Sequence, residues 1–489
     1  MEKYFYWFGF LAYSALVMFI GWRGFRRTAA VQEENIDYWA AGRSLSGAAA
    51  GLSISASFMS VSWSIVYAVQ LFYWYGLAGL WLVPLPWLLT MVGFYVLVPV
   101  FRRLPSFSQP EMIAHRFSNR ARAFLAVPLA FVFLVWGGAE IYAAAHILAP
   151  LLEAPFVLIL LLIALVVAAY SWLGGFSAVV ATDKVQFLLV AVFIAIIAGI
   201  AVVASGGSSF FSSVASIQRP AYVDAGAMSL WSLSPVLIAM TFFAYVPGWL
   251  VETDVWLRLQ AAKDVPAART GVLIAALNSL IFLTALPLVI GLAALYLYPP
   301  VAGIIPERLQ DGAAIIAVLM QDHAPLWLSV GLSTGLAAAA MSTIDTCSNV
   351  VALSLSYDII EPALQEKRSP EDMQKVARAA SALAVMMAFV YALFTESLWD
   401  IFYLSSGILT TTVFIPMLAI FSKTATETQV KAAAATGFFS TFVFYFLEKG
   451  GQLAVVQPQW LAGTGLGYIL WGGAAALCAY VLAGVVRSR

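Results

Sequence analysis

Thirteen apolar stretches of membrane-spanning length run through this chain, and two of them carry helix-breaking residues in mid-span. A hydrocarbon layer of about 30 Å needs about 20 apolar residues per helix. The stretches lie near 4–23, 47–74, 77–101, 122–151, 155–174, 177–204, 232–258, 270–298, 326–357, 374–394, 397–421, 430–448 and 461–486. The second holds Ser53, Ser55, Ser57, Ser60, Ser62 and Ser64, and the seventh holds Pro247-Gly248. Interrupted backbone inside a bilayer exposes N–H and C=O groups that no water reaches, so it persists where those groups line a cavity or bind a solute. Two such spans in corresponding positions of two halves form the pattern of a secondary transporter's binding site.

Composition supports that class. Hydrophobic residues make up 62%, charged residues only 10%, and mean hydropathy is +0.91. A soluble fold of 489 residues has too little interior to hide that much apolar surface. The expected fold is therefore an all-α polytopic membrane protein of about 13 transmembrane helices, with no separate soluble domain. The 25 Lys and Arg set the orientation. With the N-terminus outside, Lys3, Arg219, Arg308 and Lys449 lie on the outer side and Lys184 just inside a span. The other twenty fall in alternate loops or at the C-terminus, which makes those segments cytoplasmic and predicts a plasma (inner) membrane protein with a cytoplasmic C-terminus. The first apolar stretch lacks a basic leading region and a small-residue cleavage site, so it reads as a retained helix.

Zero net charge and no basic arm argue against a nucleic-acid partner. His115, His146 and His323 are scattered, which argues against a histidine metal site. Cys347 and Cys478 both fall in spans and read as small buried apolar residues. No nucleophile–base pair appears, so an enzyme is not expected.

Polar atoms at bilayer depth are candidates for function. In span nine, Ser342, Asp345, Thr346 and Asn349 follow helical spacing and form one polar stripe, with small residues Ala337 to Ala340 just before it. A bare hard cation takes several oxygens. The Ser342 and Thr343 hydroxyls, with carbonyls freed by the broken second span, supply that kind of donor set. The alternative for these hydroxyls is back-bonding to their own helix, which leaves Asp345 unexplained. Span seven continues into Glu252 and Asp254, which either face cytoplasmic water beside Arg258 or line the path. Asp183 in span six fits either a snorkelling pair with Lys184 or a site. Glu140 lies deep in span four, where a lone carboxylate is costly and must pair, bind a cationic group or be protonated. Ser60, Trp63, Tyr67, Trp136, Glu140, Tyr245 and Trp249, beside the two breaks, form the expected solute pocket. Their aromatic faces suit sugar faces, rings or amines, although each ring also fits ordinary packing or an interface belt.

Taken in order, several short motifs resemble the sodium:solute symporter family over about residues 5–420. They are Asp37-Tyr-Trp-Ala-Ala-Gly-Arg-Ser-Leu45, Gln109-Pro-Glu-Met-Ile-Ala-His-Arg-Phe117 and Gly174-Gly-Phe-Ser-Ala-Val-Val-Ala-Thr-Asp183. Arg258-Leu-Gln-Ala-Ala-Lys-Asp264 and Ala339-Ala-Met-Ser-Thr-Ile-Asp345 complete the set. The resemblance implies a LeuT-like fold, a 5+5 inverted repeat with two discontinuous helices. The repeats would be 47–204 and 232–421 within one transporter domain over 1–489, and 1–23 and 430–486 would be peripheral helices.

It also implies one Na+ held by Ala56, Met59 and Ala339 carbonyls with the Ser342 and Thr343 hydroxyls. Some members hold a second sodium, whose matching positions are Asp183, Ser342, Asp345 and Thr346. Asp345 stands where some two-sodium members carry serine, and Phe58 and Leu257 also depart from common family residues. The implied function is sodium-coupled import of a small organic solute (an amino acid, carboxylate or amine) by a monomer or weak homo-oligomer in the lipid bilayer. Two other readings share the fold: a proton-coupled or sodium-independent carrier using Asp183, Asp345 or Glu140, and a membrane sensor, which the chain's end at Arg489 argues against.

Overall fold

The computed structural model describes residues 2–28, 44–104, 108–174, 176–217, 219, 226–364 and 369–487, with side chains described at all of these except 20–28, 173–186, 370 and 486–487. Nine helices among the described residues are long and apolar enough to cross a membrane, and two bent pairs raise the number to eleven. In chain order the helices that frame the site are α1 (Lys3–Thr28), the bent pair α2 (Gly47–Phe58) and α3 (Val61–Trp81), α4 (Pro84–Phe101) and α5 (Asn119–Leu152). Then come α6 (Phe156–Gly174), α7 (Phe176–Ala204), the second bent pair α8 (Pro235–Trp249) and α9 (Thr253–Ala261), and α10 (Val265–Leu297). The last five are α11 (Leu326–Ala363), α12 (Pro370–Leu393), α13 (Leu398–Ala419), α14 (Glu427–Lys449) and α15 (Gly467–Arg487). With α1 and the shorter apolar α6, helices stand at all thirteen positions where the sequence places spans.

The centre of the molecule is made by α2 against α10, α5 against α11, and α7 against both α2 and α11. Outside it, α14 packs along α15 and onto α13, while α1 lies across α6 and α11. A buried Tyr6 hydroxyl donating to Ser329 Oγ at 2.8 Å ties α1 in place. Cys347 is buried as expected, whereas Cys478 faces outward from α15. That position is on the outward side of a helix that packs on α14 and α13, which the even hydropathy of the span does not reveal.

The first break bends α2 from α3 by 61°. Within α2 the serines bond their own helix: Ser55 Oγ donates to Gly51 O at 2.7 Å and Ser57 Oγ to Ser53 O at 3.2 Å. The helix stops at Met59. Ser60 is extended (φ −83°, ψ 160°), and its Oγ accepts the Trp63 N–H at 3.1 Å to start a π-helical turn. Ser60 is therefore a cap that re-initiates the span in a new direction. The carbonyls of the last turn of α2 lose their in-helix partners at that point.

The second break is not where the sequence places it. Pro247 and Gly248 remain inside α8, and the 42° bend falls between Trp249 and Thr253. The ladder at the proline is repaired from another helix. Thr410 Oγ1 in α13 donates to Ala244 O at 2.8 Å and accepts the Gly248 N–H at 2.9 Å, so one hydroxyl replaces the missing turn bond. Gly248 permits that approach, because a Cβ there would lie 2.7 Å from Leu409 Cβ and 2.8 Å from Ser406 O. The bend itself is set by Glu252, extended at φ −76°, ψ 139°, whose carboxylate caps α9 by accepting the Val255 N–H at 3.0 Å.

At one end of the bundle a buried ion pair joins the start of α5 to the end of α11. Arg122 Nη2 lies 2.8 Å from Asp358 Oδ1, and Ser108 Oγ donates to the same oxygen at 2.8 Å. Beside it the Tyr357 hydroxyl donates to Glu111 Oε1 at 3.1 Å, fastening the short helix Gln109–Arg116 to the pair.

Candidate solute and ion site

Both breaks open on one cavity of about 90 Å³, counted as room for the centres of water molecules. Helix α2 contributes Ile54, Ser57 and Phe58, the first break Ser60, and α3 contributes Ser62 and Trp63. Trp87 of α4, then Phe133, Trp136 and Glu140 of α5, form another wall. The second break brings Trp249, Glu252, Asp254 and Val255, and α11 and α13 close the space with Thr343, Thr346, Cys347, Phe402 and Ser406.

Tryptophans dominate this wall and are held by geometry that fixes their faces. Trp249 sits edge-on to Trp63 at 5.4 Å and to Trp87 at 5.3 Å, and Trp63 is edge-on to Phe402 at 4.4 Å. Two of the indole N–H groups are satisfied, Trp249 Nε1 donating to Ser406 Oγ at 3.1 Å and Trp136 Nε1 to Ser405 Oγ at 2.8 Å, while Trp87 Nε1 is buried without a partner. Of the seven residues expected to meet the solute, Ser60, Trp63, Trp136, Glu140 and Trp249 line the cavity. Tyr67 and Tyr245 do not. Both are fully buried behind the wall, Tyr245 stacked on Trp249 at 4.4 Å and Tyr67 5.5 Å from Trp63. They support the indoles from the second layer.

Glu140 is 1% exposed. Its Oε1 accepts the Ser62 backbone N–H at 3.0 Å and the Ser62 hydroxyl, so α5 is pinned to the first turn after the break. Its Oε2 is buried and makes no hydrogen bond. Asp254 pairs with Arg258, whose Nε also donates to Ser53 Oγ at 3.0 Å. The sequence left open whether Glu252 and Asp254 face cytoplasmic water; both are buried and line the cavity.

A second, smaller cavity lies between the broken end of α2 and helices α7 and α11. It measures about 10 Å³ on the same count, room for about one water-sized particle. Ala56, Ser57, Met59, Phe187, Val190, Ala339, Ser342, Thr343 and Thr346 surround it. All five residues expected to hold the first sodium, Ala56, Met59, Ala339, Ser342 and Thr343, are therefore together. The Thr343 hydroxyl donates to Ala339 O at 3.2 Å, one turn back in its own helix, which is the back-bonding alternative that the sequence left open. Ser57, Thr343 and Thr346 line both cavities, so three hydroxyl side chains form the partition between them.

Of the residues matching a second sodium, Ser342 and Thr346 line the small cavity. Asp345, one turn on from Ser342 and next to Thr346 in the chain, has Oδ1 accepting from Ser171 Oγ at 2.6 Å and from Asn349 Nδ2 at 3.4 Å. The side chain of Asp183 lies outside the described residues. Ser171 was missed from sequence, because a single serine in an apolar span carries no pattern. Trp87, Phe133, Phe402, Cys347 and Ser406 were missed likewise; only the Ser405-Ser406 pair offered a polar signal.

The chain belongs to the sodium:solute symporter family, whose model matches residues 38–437. It is therefore a multi-pass membrane protein and a sodium-coupled solute symporter, not an enzyme. It is similar to the sodium/sialic acid symporter SiaT of Proteus mirabilis (strain HI4320), 26% identical over 94% of this chain and 95% of that one. It is also 26% identical to the sodium/glucose cotransporter of Vibrio parahaemolyticus, over 78% of this chain and 74% of the other. A solved structure of a Na+-coupled sialic acid symporter, in a substrate-bound outward-open state, superposes with a TM-score of 0.75 at 20% identity, covering 99% of this chain and 98% of that one. The LeuT-like architecture that the motifs imply is thus the fold of this chain.

Proposed function

We propose that the chain imports a small organic solute together with sodium by alternating access, the solute in the large cavity and one sodium in the small one. The observation that carries this reading is the shared wall: Ser57, Thr343 and Thr346 face both spaces. An ion that draws Thr343 and the carbonyls of Ala56 and Met59 together also fixes one side of the solute cavity. Each ligand then raises the affinity of the other, as coupled transport requires. Asp345, with Ser342, Thr346 and Asp183, is the place for a second sodium, and Ser171 belongs to that group through its bond to Asp345.

The N-terminus is on the outer side in this reading, and the repeats 47–204 and 232–421 rock against each other around the two breaks. One charge crossing about 100 mV releases about 2.3 kcal/mol. A tenfold sodium gradient adds about 1.4 kcal/mol. One ion thus sustains a solute gradient of several hundredfold.

The test is the melting temperature of the purified protein against amino acids, carboxylates, sugars and amines, in sodium and again in potassium. Stabilisation by a solute in sodium only supports coupling. Stabilisation that ignores sodium and follows pH near neutrality overturns the sodium assignment in favour of proton coupling.

A further inference from the structure

The large cavity has a charge pattern that narrows its occupant. Three carboxylates line it: Glu140, Glu252 and Asp254. Among its described lining residues none is basic. Asp254 is neutralised by Arg258. The Glu252 carboxylate is turned to the first turn of α9, where both oxygens accept the Val255 N–H, at 3.0 and 3.2 Å. Glu140 differs. Its Oε1 is held by Ser62, while Oε2 is buried with no partner. An unpaired buried carboxylate oxygen costs free energy that a cationic group beside it offsets.

Much of the remaining wall is indole and phenyl surface, from Trp63, Trp87, Trp136, Trp249 and Phe402, beside several serine and threonine side chains. The indole N–H groups of Trp136 and Trp249 are taken up by Ser405 and Ser406, so these two rings offer the cavity faces and carbon edges, and Trp87 Nε1 is the indole donor left without a partner. Aromatic faces attract cations through the ring quadrupole and take up methyl groups by burial. A solute carboxylate would meet the Glu140 and Glu252 carboxyl groups with no basic side chain among the described lining residues to balance it.

We propose that the carried solute bears an ammonium group, seated between Glu140 Oε2 and the tryptophan cage. This rests on the large cavity being the solute site. Bare amines, quaternary amines and zwitterions that can turn the ammonium end inward meet this requirement. Anions with no cationic group, and neutral sugars, do not.

The discriminating pair is choline and its neutral carbon isostere 3,3-dimethylbutan-1-ol, of the same shape without the charge. Glycine betaine, proline and ethanolamine extend the cationic set; glucose, lactate and sialic acid extend the other. Binding is read as thermal stabilisation and by calorimetry on the full-length protein, in sodium and in potassium. At least one ammonium compound should bind, at least tenfold more tightly than any neutral or anionic member. Where choline is that compound, the isostere should be at least tenfold weaker. Glu140→Gln should weaken that binding at least tenfold, with the sodium-induced shift of the empty protein retained as evidence of an intact fold.

Preferred binding of glucose, lactate or sialic acid, no binding by any ammonium compound, or ammonium binding that survives Glu140→Gln overturns the proposal. Sodium-dependent binding of glucose would sink this inference and leave the symport reading standing. Ammonium binding equal in sodium and potassium would do the reverse.

Discussion

Ser342 and Thr343 carry the ion reading at the residue scale, since theirs are the side-chain oxygens among the five groups gathered at the small cavity. Removing either hydroxyl takes one ligand from a site too small for a replacement water beside the ion. Ser342→Ala or Thr343→Ala should weaken sodium binding at least tenfold, about 1.4 kcal/mol, and for Ser342→Ala, whose side chain lines the small cavity and not the large one, solute binding measured at saturating sodium is restored. A sodium titration of melting temperature checks this. These residues were legible in the sequence because hydroxyls and an acid at helical spacing stand out in an apolar span. Trp87 and Phe402 were not legible, since an aromatic ring in such a span looks the same whether it faces lipid, a neighbour or a cavity. Tyr67 and Tyr245 show the converse: proximity in sequence to a break placed them near the cavity but one layer behind it.

The two broken spans are the functional elements, and they break for different reasons. In the first, the serine cluster announces the interruption, and Ser60 caps the new turn. In the second, Pro247-Gly248 announced a break that α13 repairs, and the bend moves on to the Glu252 cap. No local rule reveals a hydroxyl that arrives from 162 residues away. Thr410→Val keeps the shape and removes both bonds, leaving a buried N–H and C=O unmet. A loss of about 1–3 kcal/mol for each such group is expected, read as a fall in melting temperature that Thr410→Ser avoids. At the other end of the bundle, Asp358→Ala leaves Arg122 buried without its partner. Breaking such a pair from one side costs about 3–5 kcal/mol, so this variant should melt well below the parent. An Asp358→Ala protein of unchanged stability would show that the tie between α5 and α11 is not structural.

For the whole molecule, hydropathy gave the number and order of helices almost without loss, because a bilayer admits few alternatives to an apolar helix. What hydropathy does not hold is which helices touch. The meeting of α2, α7 and α11 at one small space is a tertiary fact; the hydroxyls of span nine and the broken second span pointed to two of the three, and the family motifs to the third. Orientation belongs to this scale too. The excess of basic residues in alternate loops predicts that a single cysteine at position 2, with Cys347 and Cys478 replaced, reacts with an impermeant thiol reagent in intact cells, and that one at 424 does not.

Coupling between the two cavities is the central claim, and Cys347, on the wall of the large one, reports it directly in a Cys478→Ser background. The measurement is the rate of Cys347 labelling by an impermeant thiol reagent in inside-out vesicles, in sodium and in potassium. If sodium, by joining α2 to α11, favours the outward-open state, it should slow labelling from the cytoplasmic side severalfold and saturably, and Thr343→Ala should remove the difference. Equal rates in the two salts, or a sodium effect that survives Thr343→Ala, would contradict the account.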